Sequence, residues 1–360
     1  MLLRPSRRLL LGTAAAGAAS FAMPRIGRAQ KDHVRAAFVY VGPIGDHGWT
    51  YRHDVGRRDL EAALGDKVST TFVENVAEGP DAERVIRQLA ADGNDIIFTT
   101  SFGFMNPTVR VAQQFPDVLF EHCTGYQTAP NLAVYNARFH EGRAVIGTIA
   151  GHVSESGIVG YIGSFPIPEV VMGINAFQLA AREVNPDMEV RVIWVNSWYD
   201  PGREAEAAST LADQGADIIS QHTDSPAALQ VAEERGIHAF GQASDMSAFA
   251  PTAQLTAIVD NWSPHYIQRC QAVLDGTWET QNVWHGLADG EVEIAPYNES
   301  LPEDVVAAAE AIREGIIAGT LDPFAGPITD QAGELRVPEG EALTDEQLLS
   351  MDWYVEGVQA

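Results

Sequence analysis

Aromatic side chains stand directly past segments of the chain that read as β-strands. Trp49, Phe102 and Trp198 each occupy such a position. An aromatic ring at a loop tip is unfavourable in water, whereas two rings that face each other across a cleft form a slot for a third flat ring. The pattern therefore predicts stacking on a planar ligand, and packing of each ring into a core is the alternative.

Carboxylates and a histidine follow other predicted strands and are the candidate polar partners of such a ligand. Asp224 and Asp245 come after later strands, and Asp46 precedes the first tryptophan by three residues. A carboxylate beside the slot accepts the N–H donors that a nitrogen heterocycle carries. His122 ends a strand, and it either hydrogen-bonds the ligand or is a buried structural histidine.

Other kinds of chemistry lack their motifs. The glycine-rich loop at 42–50 opens a helix, but it has no lysine or arginine and fits neither GxGxxG nor GxxxxGK[ST]. The chain has no HExxH pattern and no GxSxG nucleophile turn. We therefore predict no cofactor, no metal and no catalytic residue. The formal net charge of −26 argues against nucleic acid as a partner, because phosphates are bound by lysine and arginine.

The segments that position these residues alternate between strand and helix patterns. The first set has predicted strands at 34–41, 68–76, 95–100 and 118–122, and the second at 158–163, 190–195, 217–222 and 239–240. Helical spacing fills the intervals. Such alternation is typical of βαβ units with a parallel sheet covered on both faces. We predict an α/β protein of two doubly wound, Rossmann-like lobes with a hinge, the form of type I periplasmic binding proteins, and a ligand cleft at the carboxyl ends of the strands.

A weak internal repeat supports two similar lobes. Residues 89–97 and 211–219 share Leu, Ala, Gly, Asp, Ile and Ile at one fixed offset. We predict three crossings, with lobe 1 formed by residues 30–138 and 261–282 and lobe 2 by residues 139–260 and 283–360. The tail past residue 322 is expected to be loops with a short strand at 353–355.

The first 29 residues have the features of a secretory signal. Arginines precede an apolar stretch, and Ser6-Arg7-Arg8-Leu9-Leu10 resembles a twin-arginine signal, although an ordinary signal with two arginines is the alternative. Its removal takes the net charge from −26 to −31, because it holds five arginines and no acid. We expect a periplasmic protein without a lipid anchor. Cys123 and Cys270 are expected to be buried thiols, with a disulfide as the alternative.

Four short stretches resemble the basic membrane protein family of ABC-transporter binding proteins, which includes purine nucleoside receptors. They are Asp46-His47-Gly48-Trp49-Thr50, Ser197-Trp198-Tyr199-Asp200-Pro201, the stretch 212–219, and Ser244-Asp245. The resemblance covers nearly all of the mature chain. It implies that Trp49 and Trp198 sandwich a purine ring.

The departures from the family pattern concern the sugar. Nucleoside-binding members carry acids at positions that hold Tyr40, Thr124 and Ala243 here, and a ribose-binding lysine near the position of Asp260. A site without fixed polar partners for hydroxyl groups discriminates poorly in favour of a sugar. We therefore expect a free, adenine-like base, read by Asp224, in a slot lined also by Phe102, Gly103, Tyr40 and His122.

The expected function is capture of this base by hinge closure and delivery to an ABC permease in the inner membrane. We expect a monomer and no enzymatic activity. The alternatives are a nucleoside or another flat heterocycle as ligand, a periplasmic nucleoside-processing enzyme, and a sensor subunit that hands its ligand to a receptor.

Overall fold

A computed structural model describes residues 30–360, so the signal predicted at 1–29 lies outside the described residues. The strands are β1 (Val34–Val39), β2 (Val68–Val73), β3 (Ile96–Thr99), β4 (Leu119–Cys123), β5 (Leu132–Ala137), β6 (Ile158–Gly163), β7 (Glu189–Trp194), β8 (Ile218–Gln221), β9 (His238–Gly241), β10 (Gln254–Asp260), β11 (Asn282–His285), β12 (Val292–Ile294), β13 (Ile328–Thr329), β14 (Leu335–Val337) and β15 (Val358–Gln359). The helices are α1 (Gly48–Leu64), α2 (Pro80–Ala91), α3 (Met105–Gln114), α4 (Phe139–Val153), α5 (Pro168–Val184), α6 (Pro201–Asp213), α7 (Ala227–Arg235), α8 (Ser263–Leu274), α9 (Glu303–Ile317) and α10 (Asp345–Leu348).

Lobe 1 is built on a six-stranded sheet in the order β11-β5-β4-β3-β1-β2. Each neighbouring pair in it is parallel. Helices α1 and α8 pack together on one face, and α2 and α3 pack together on the other. Strands covered on both faces are buried along their whole length, as in β3 and β4. The sheet thus brings the carboxyl ends of its strands to one edge.

Lobe 2 repeats this plan in a seven-stranded sheet of order β12-β10-β9-β8-β6-β7-β15. Its pairs are parallel except β10 with β12. The two repeat stretches occupy equivalent places, from the end of α2 into β3 and from the end of α6 into β8. The doubly wound, two-lobed α/β fold predicted from the alternation is confirmed.

The chain crosses between the sheets three times. It leaves lobe 1 between β5 and α4, returns between β10 and α8, and leaves again between β11 and β12. Strand β11 pairs with β5, so lobe 1 extends to His285, and the boundary drawn at 282 falls at the first residue of this strand. Three neighbouring crossings form the hinge.

The C-terminal segment returns to lobe 2. Strand β15 pairs with β7, and β13 with β14 forms a separate two-stranded sheet. The terminal strand predicted at 353–355 is corrected to Val358–Gln359, because in that earlier stretch only Val355 forms a bridge, to Asp330. In residues 30–360 no helix combines the length and the apolar character needed to cross a bilayer.

Helix α4 was missed from the sequence because it shows no amphipathic pattern. Nearly all of its residues are buried, since it runs between the lobe 2 sheet, α5 and α9. Gly147 and Gly151 let α4 approach α5, because a Cβ at either position would collide with backbone oxygens of Phe177 or Ala181. Strand β5 was missed for the same reason, being buried at every residue.

Both cysteines are free thiols in the interior. Cys123 ends β4 and Cys270 lies in α8, and both are buried. Burial raises the pKa of each thiol well above its usual range, so both stay protonated and unreactive at neutral pH. The prediction of two buried thiols is confirmed over the disulfide alternative.

Candidate ligand-binding site

A cavity lies between the lobes, where the carboxyl ends of both sheets face each other. The lining residues are Val41, Trp49, Ser101, Phe102, Thr124, Glu169, Trp198, His222, Thr223, Asp224 and Gln242. Both lobes contribute residues to this lining.

Trp49 forms part of the lobe 1 wall at the start of α1. Its indole N–H donates to the carbonyl oxygen of Thr100 at 2.7 Å. The edge of its ring contacts Trp262, with centroids 5.4 Å apart and planes at 74°. Because both the polar and the apolar parts of the indole are held, its orientation is fixed within lobe 1.

Trp198 forms part of the facing wall in the loop between β7 and α6. It packs against Phe165 at a centroid distance of 5.0 Å. Its indole N–H donates across the cleft to Glu78 Oε1 at 3.1 Å. The same oxygen accepts the Ser101 hydroxyl at 2.6 Å and the Gly103 amide at 3.0 Å. Glu78 thus ties this tryptophan to the lobe 1 loop that carries the third aromatic ring.

The N-terminus of α1 is capped by the opposite lobe. Its N-cap residue, His47, makes no side-chain capping bond. The Gly48 amide donates to Ser244 Oγ at 2.7 Å, and the Trp49 amide donates to Asp224 Oδ1 at 2.9 Å. Free N–H groups at a helix start need acceptors, and lobe 2 supplies them. Closure of the cleft therefore completes a helix cap.

Two partly buried carboxyl groups border the cavity: Asp224, and Glu169, whose ionised form is favoured by the charge of Arg143. Burial raises the pKa of Asp224 to about 7, although the hydrogen bond from the Trp49 amide acts to lower it. Burial also raises the pKa of Glu169 to about 7, although Asn136 donates to it at 3.3 Å. His222 Nε2 lies 3.6 Å from Glu169, but burial holds the pKa of this imidazole well below its usual range. In the pair of Glu169 and His222, the imidazole is therefore neutral. The carboxyl groups of Asp224 and Glu169 can both exchange a proton near neutral pH.

Two buried residues with ionisable side chains, Asp260 and Arg143, lie outside the cavity lining. Among the described residues, neither carboxyl oxygen of Asp260 has a hydrogen-bond partner, and burial raises its pKa well above the usual range. Arg143 is 1% exposed and donates to the Gln242 side-chain oxygen. That bond leaves the NH₂ group of Gln242, which lines the cavity, as a donor.

Five of the residues predicted for the site line this cavity: Trp49, Trp198, Phe102, Thr124 and Asp224. Tyr40 does not. Its side chain is fully buried on the opposite face of β1, stacked on Phe72 at 6.0 Å, and the next residue, Val41, faces the cavity instead. Successive side chains of a strand point to opposite faces, so an error of one residue in the strand end reverses the assignment.

His122 likewise lies outside the lining of the cavity. It is fully buried, and its Nδ1 lies 2.7 Å from Thr99 Oγ1. Burial lowers its pKa to about 3, so it is neutral. Its interior position agrees with the alternative of a buried histidine, and a contact with the ligand stays a prediction.

Three other predicted residues lie near the cavity without lining it. Gly103 contributes its amide to Glu78 and leaves room for that carboxylate. Asp46 is exposed and pairs with His47 at 2.7 Å. Asp245 accepts hydrogen bonds within its own lobe, from the Ser247 amide at 2.9 Å and from the Gln254 side chain at 2.7 Å. The backbone turns were located correctly, but these carboxylates point elsewhere.

Three lining residues were not predicted from the sequence: Glu169, His222 and Gln242. The last two stand in stretches that were recognised as strand ends, but the neighbouring aspartates were predicted as the binding residues instead. Glu169 lies in the first turn of α5, five residues past Ser164, beyond an irregular stretch that follows β6. Helix N-termini favour acidic side chains, which is the signal that could have found it.

Strained backbone marks the same edge of both sheets. Among the described residues, the non-glycine residues with positive φ are Asn75 (56°), Thr124 (61°), Asn196 (51°) and Ala243 (58°). Each follows the carboxyl end of a strand, namely β2, β4, β7 and β9. Such conformations persist where the surroundings over-determine them, typically at binding sites.

Comparison with known proteins agrees with this geometry. Residues 33–322 match the model of the family described as ABC transporter substrate-binding protein PnrA-like, or Bmp. The chain belongs to this family. Membership implies a small-molecule ligand and a membrane permease as partner, as predicted at that level. Within residues 30–360, no group of three or more His, Cys, Asp or Glu side chains is placed to hold a metal ion.

Individual relatives extend the comparison. A purine-binding protein of Brucella abortus (strain 2308) is 60% identical over 328 residues, which cover 91% of this chain and 93% of that protein. A putative ABC transporter glucose-binding protein of Haloferax volcanii is 37% identical and covers 92% of this chain and 82% of that protein. A solute-binding protein structure from Aeropyrum pernix K1 has a TM-score of 0.70 at 17% identity, covering 82% of this chain and 94% of that one. The last comparison concerns the fold alone.

Proposed function

We propose that this substrate-binding protein captures a purine base, adenine-like, between Trp49 and Trp198 and delivers it to an ABC permease. One observation carries the proposal: two tryptophans from opposite lobes border one cavity that two partly buried carboxyl groups, Asp224 and Glu169, also line. The purine-binding relative at 60% identity supports the same ligand class.

The aromatic walls supply affinity without reading an edge of the ring. Stacking of one base on one aromatic side chain contributes roughly 1–3 kcal/mol. Because Trp49 is held by lobe 1 and Trp198 by lobe 2 with a bond to Glu78, a base between them is contacted fully only in the closed form. Binding energy is thereby linked to hinge closure.

The carboxyl groups supply recognition of the ring edge. A purine base offers N–H donors and ring-nitrogen acceptors at its rim. Asp224 and Glu169 accept the donors when ionised, and either donates to a ring nitrogen when protonated. Gln242 adds an N–H donor. A sugar would find no lysine among the residues that line the cavity, and Asp260, near the position of the ribose-binding lysine, is buried outside that lining, which supports a free base over a nucleoside.

The test is calorimetric titration of the mature protein with adenine, guanine, hypoxanthine, adenosine, inosine and glucose. Adenine is expected to bind tightest. Tighter binding of adenosine would replace the base with a nucleoside, and binding of glucose alone would overturn the purine proposal. Incubation with adenosine followed by chromatography for free base tests the enzymatic alternative, and we expect no release.

Variants separate stacking from stability. Trp49→Ala and Trp198→Ala are each expected to weaken adenine binding by roughly 1–3 kcal/mol. Trp353→Ala is the matched control, since this ring packs under Arg336 at 4.9 Å, outside the cavity lining. Equal affinity in all three variants would return both site tryptophans to a packing role.

The place of action is proposed as the periplasm, after export by the twin-arginine route. The basic start, the apolar stretch and the paired arginines in residues 1–29 support it. Replacing Arg7 and Arg8 by lysine is expected to stop export by that route, which cell fractionation measures. Export unchanged by both substitutions would indicate an ordinary secretory signal.

A further inference from the structure

A second concave space adjoins the purine cavity. Phe102, Thr124 and Glu169 line both spaces, so the two are continuous at these residues. We call this second space the annex. Its other lining residues are Gly125, Tyr126, Asn136, Pro168 and Leu349.

The annex has an apolar rim that the fold leaves uncovered. Tyr126 is 62% exposed and Leu349 is 46% exposed. They are two of the six large hydrophobic side chains that are exposed in residues 30–360. The Phe102 ring lies 6.3 Å from the Tyr126 ring and links the rim to the cavity. Exposed apolar groups gathered around a concave space mark a place for an apolar partner.

The rim is held in place by the C-terminal segment. Leu349 is the C-cap residue that follows α10, and the first residue of that helix, Asp345, forms a bidentate ion pair with Arg138 at 2.7 and 3.0 Å. Arg138 stands at the first crossing between the lobes. The position of Leu349 is therefore set by the hinge. The family match ends at residue 322, so this wall comes from a part of the chain outside it.

Glu169 stands at the junction, because it lines both the cavity and the annex. A purine whose amino group faces Glu169 donates one N–H to it, and the second position on that nitrogen points towards the annex. An apolar group there would cover Tyr126 and Leu349 and remove them from water. We propose that the annex is a subsite for an apolar substituent on the amino group of a purine. This inference rests on the proposed function.

The test compares adenine with N6-benzyladenine by calorimetry on the mature protein. The benzyl compound is expected to bind about tenfold or more tightly than adenine, because its phenyl group is buried in the annex. In the double variant Tyr126→Ser, Leu349→Ser, this gain is expected to vanish while adenine binds as in the wild type. Both substitutions are at exposed positions, and circular dichroism with thermal melting verifies folding. The single variant Leu349→Ser should show a partial loss.

Two results overturn the annex proposal and leave the purine proposal standing. One is N6-benzyladenine binding no tighter than adenine, which would make the annex a solvent-filled entrance. The other is a gain that persists in the double variant. Failure of adenine itself to bind is distinguishable from both, since it overturns the proposed function first.

Discussion

Asp224→Asn is expected to stabilise the ligand-free protein at high pH and to leave it unchanged at low pH. Burial raises the pKa of this carboxyl from 3.8 to about 7 in the folded protein. A carboxyl with a raised folded pKa contributes stability that is present below 3.8 and is lost as pH rises through about 7. The asparagine keeps a carbonyl oxygen to accept the Trp49 amide but has no charge to bury.

The magnitude follows from the size of the shift. Three pKa units at about 1.4 kcal/mol each give an upper limit of about 4 kcal/mol. Because the carboxyl borders a cavity open to water, we expect about 1–4 kcal/mol in favour of Asp224→Asn above pH 7. The difference should be near zero at pH 4, grow with pH and level off above pH 7.

The assay is chemical unfolding of both proteins without ligand at a series of pH values from 4 to 8.5. Asp245→Asn is the control of opposite sign. Burial acts to raise the pKa of Asp245, but the hydrogen bonds from Ser247 and Gln254 outweigh it and hold this pKa below its usual range. That carboxyl contributes stability above 3.8 that is lost as pH falls, so its variant should be destabilised at neutral pH. A pH-independent difference for Asp224→Asn, or destabilisation above pH 7, would show that burial does not raise the pKa of this carboxyl in the folded protein.

Two further predictions concern the aromatic loop and the thiols. Gly103→Ala should weaken adenine binding about tenfold, roughly 1.4 kcal/mol, because the new Cβ would overlap the Glu78 carboxylate that orients Trp198. Calorimetry measures this affinity, and a change below twofold would contradict the prediction. Cys123 and Cys270 should react with a thiol reagent only after unfolding, because both are buried and protonated; rapid labelling of the native protein would contradict this.

The candidate site could be located but not assembled from the sequence. Side chains that follow strands of parallel sheets gather at one edge, which placed Trp49, Phe102 and Trp198 correctly on a shared cavity. Which neighbour of each turn points inwards depends on the last residues of a strand, and this misplaced Tyr40. Glu169 was not predicted because an irregular stretch separates the end of β6 at Gly163 from the start of α5 at Pro168.

The fold class, the two-lobed plan and the position of the cleft were determined by the sequence alone. Their signals are local, because strand and helix periodicities repeat within short windows and turns end them. Even the weak repeat between residues 89–97 and 211–219 fell on equivalent elements. The presence of only two cysteines in a chain of this length also predicted buried thiols.

The contacts across the cleft and the pKa values of its carboxyl groups depend on the tertiary structure. The capping of α1 by Ser244 and Asp224, and the bond from Trp198 to Glu78, join residues that are 120 to 196 positions apart in the chain. The raised pKa values of Asp224 and Glu169 arise from burial that no neighbour in sequence reports. Burial and orientation at the junction of two lobes are set by how the sheets face each other, and that arrangement has no local signature.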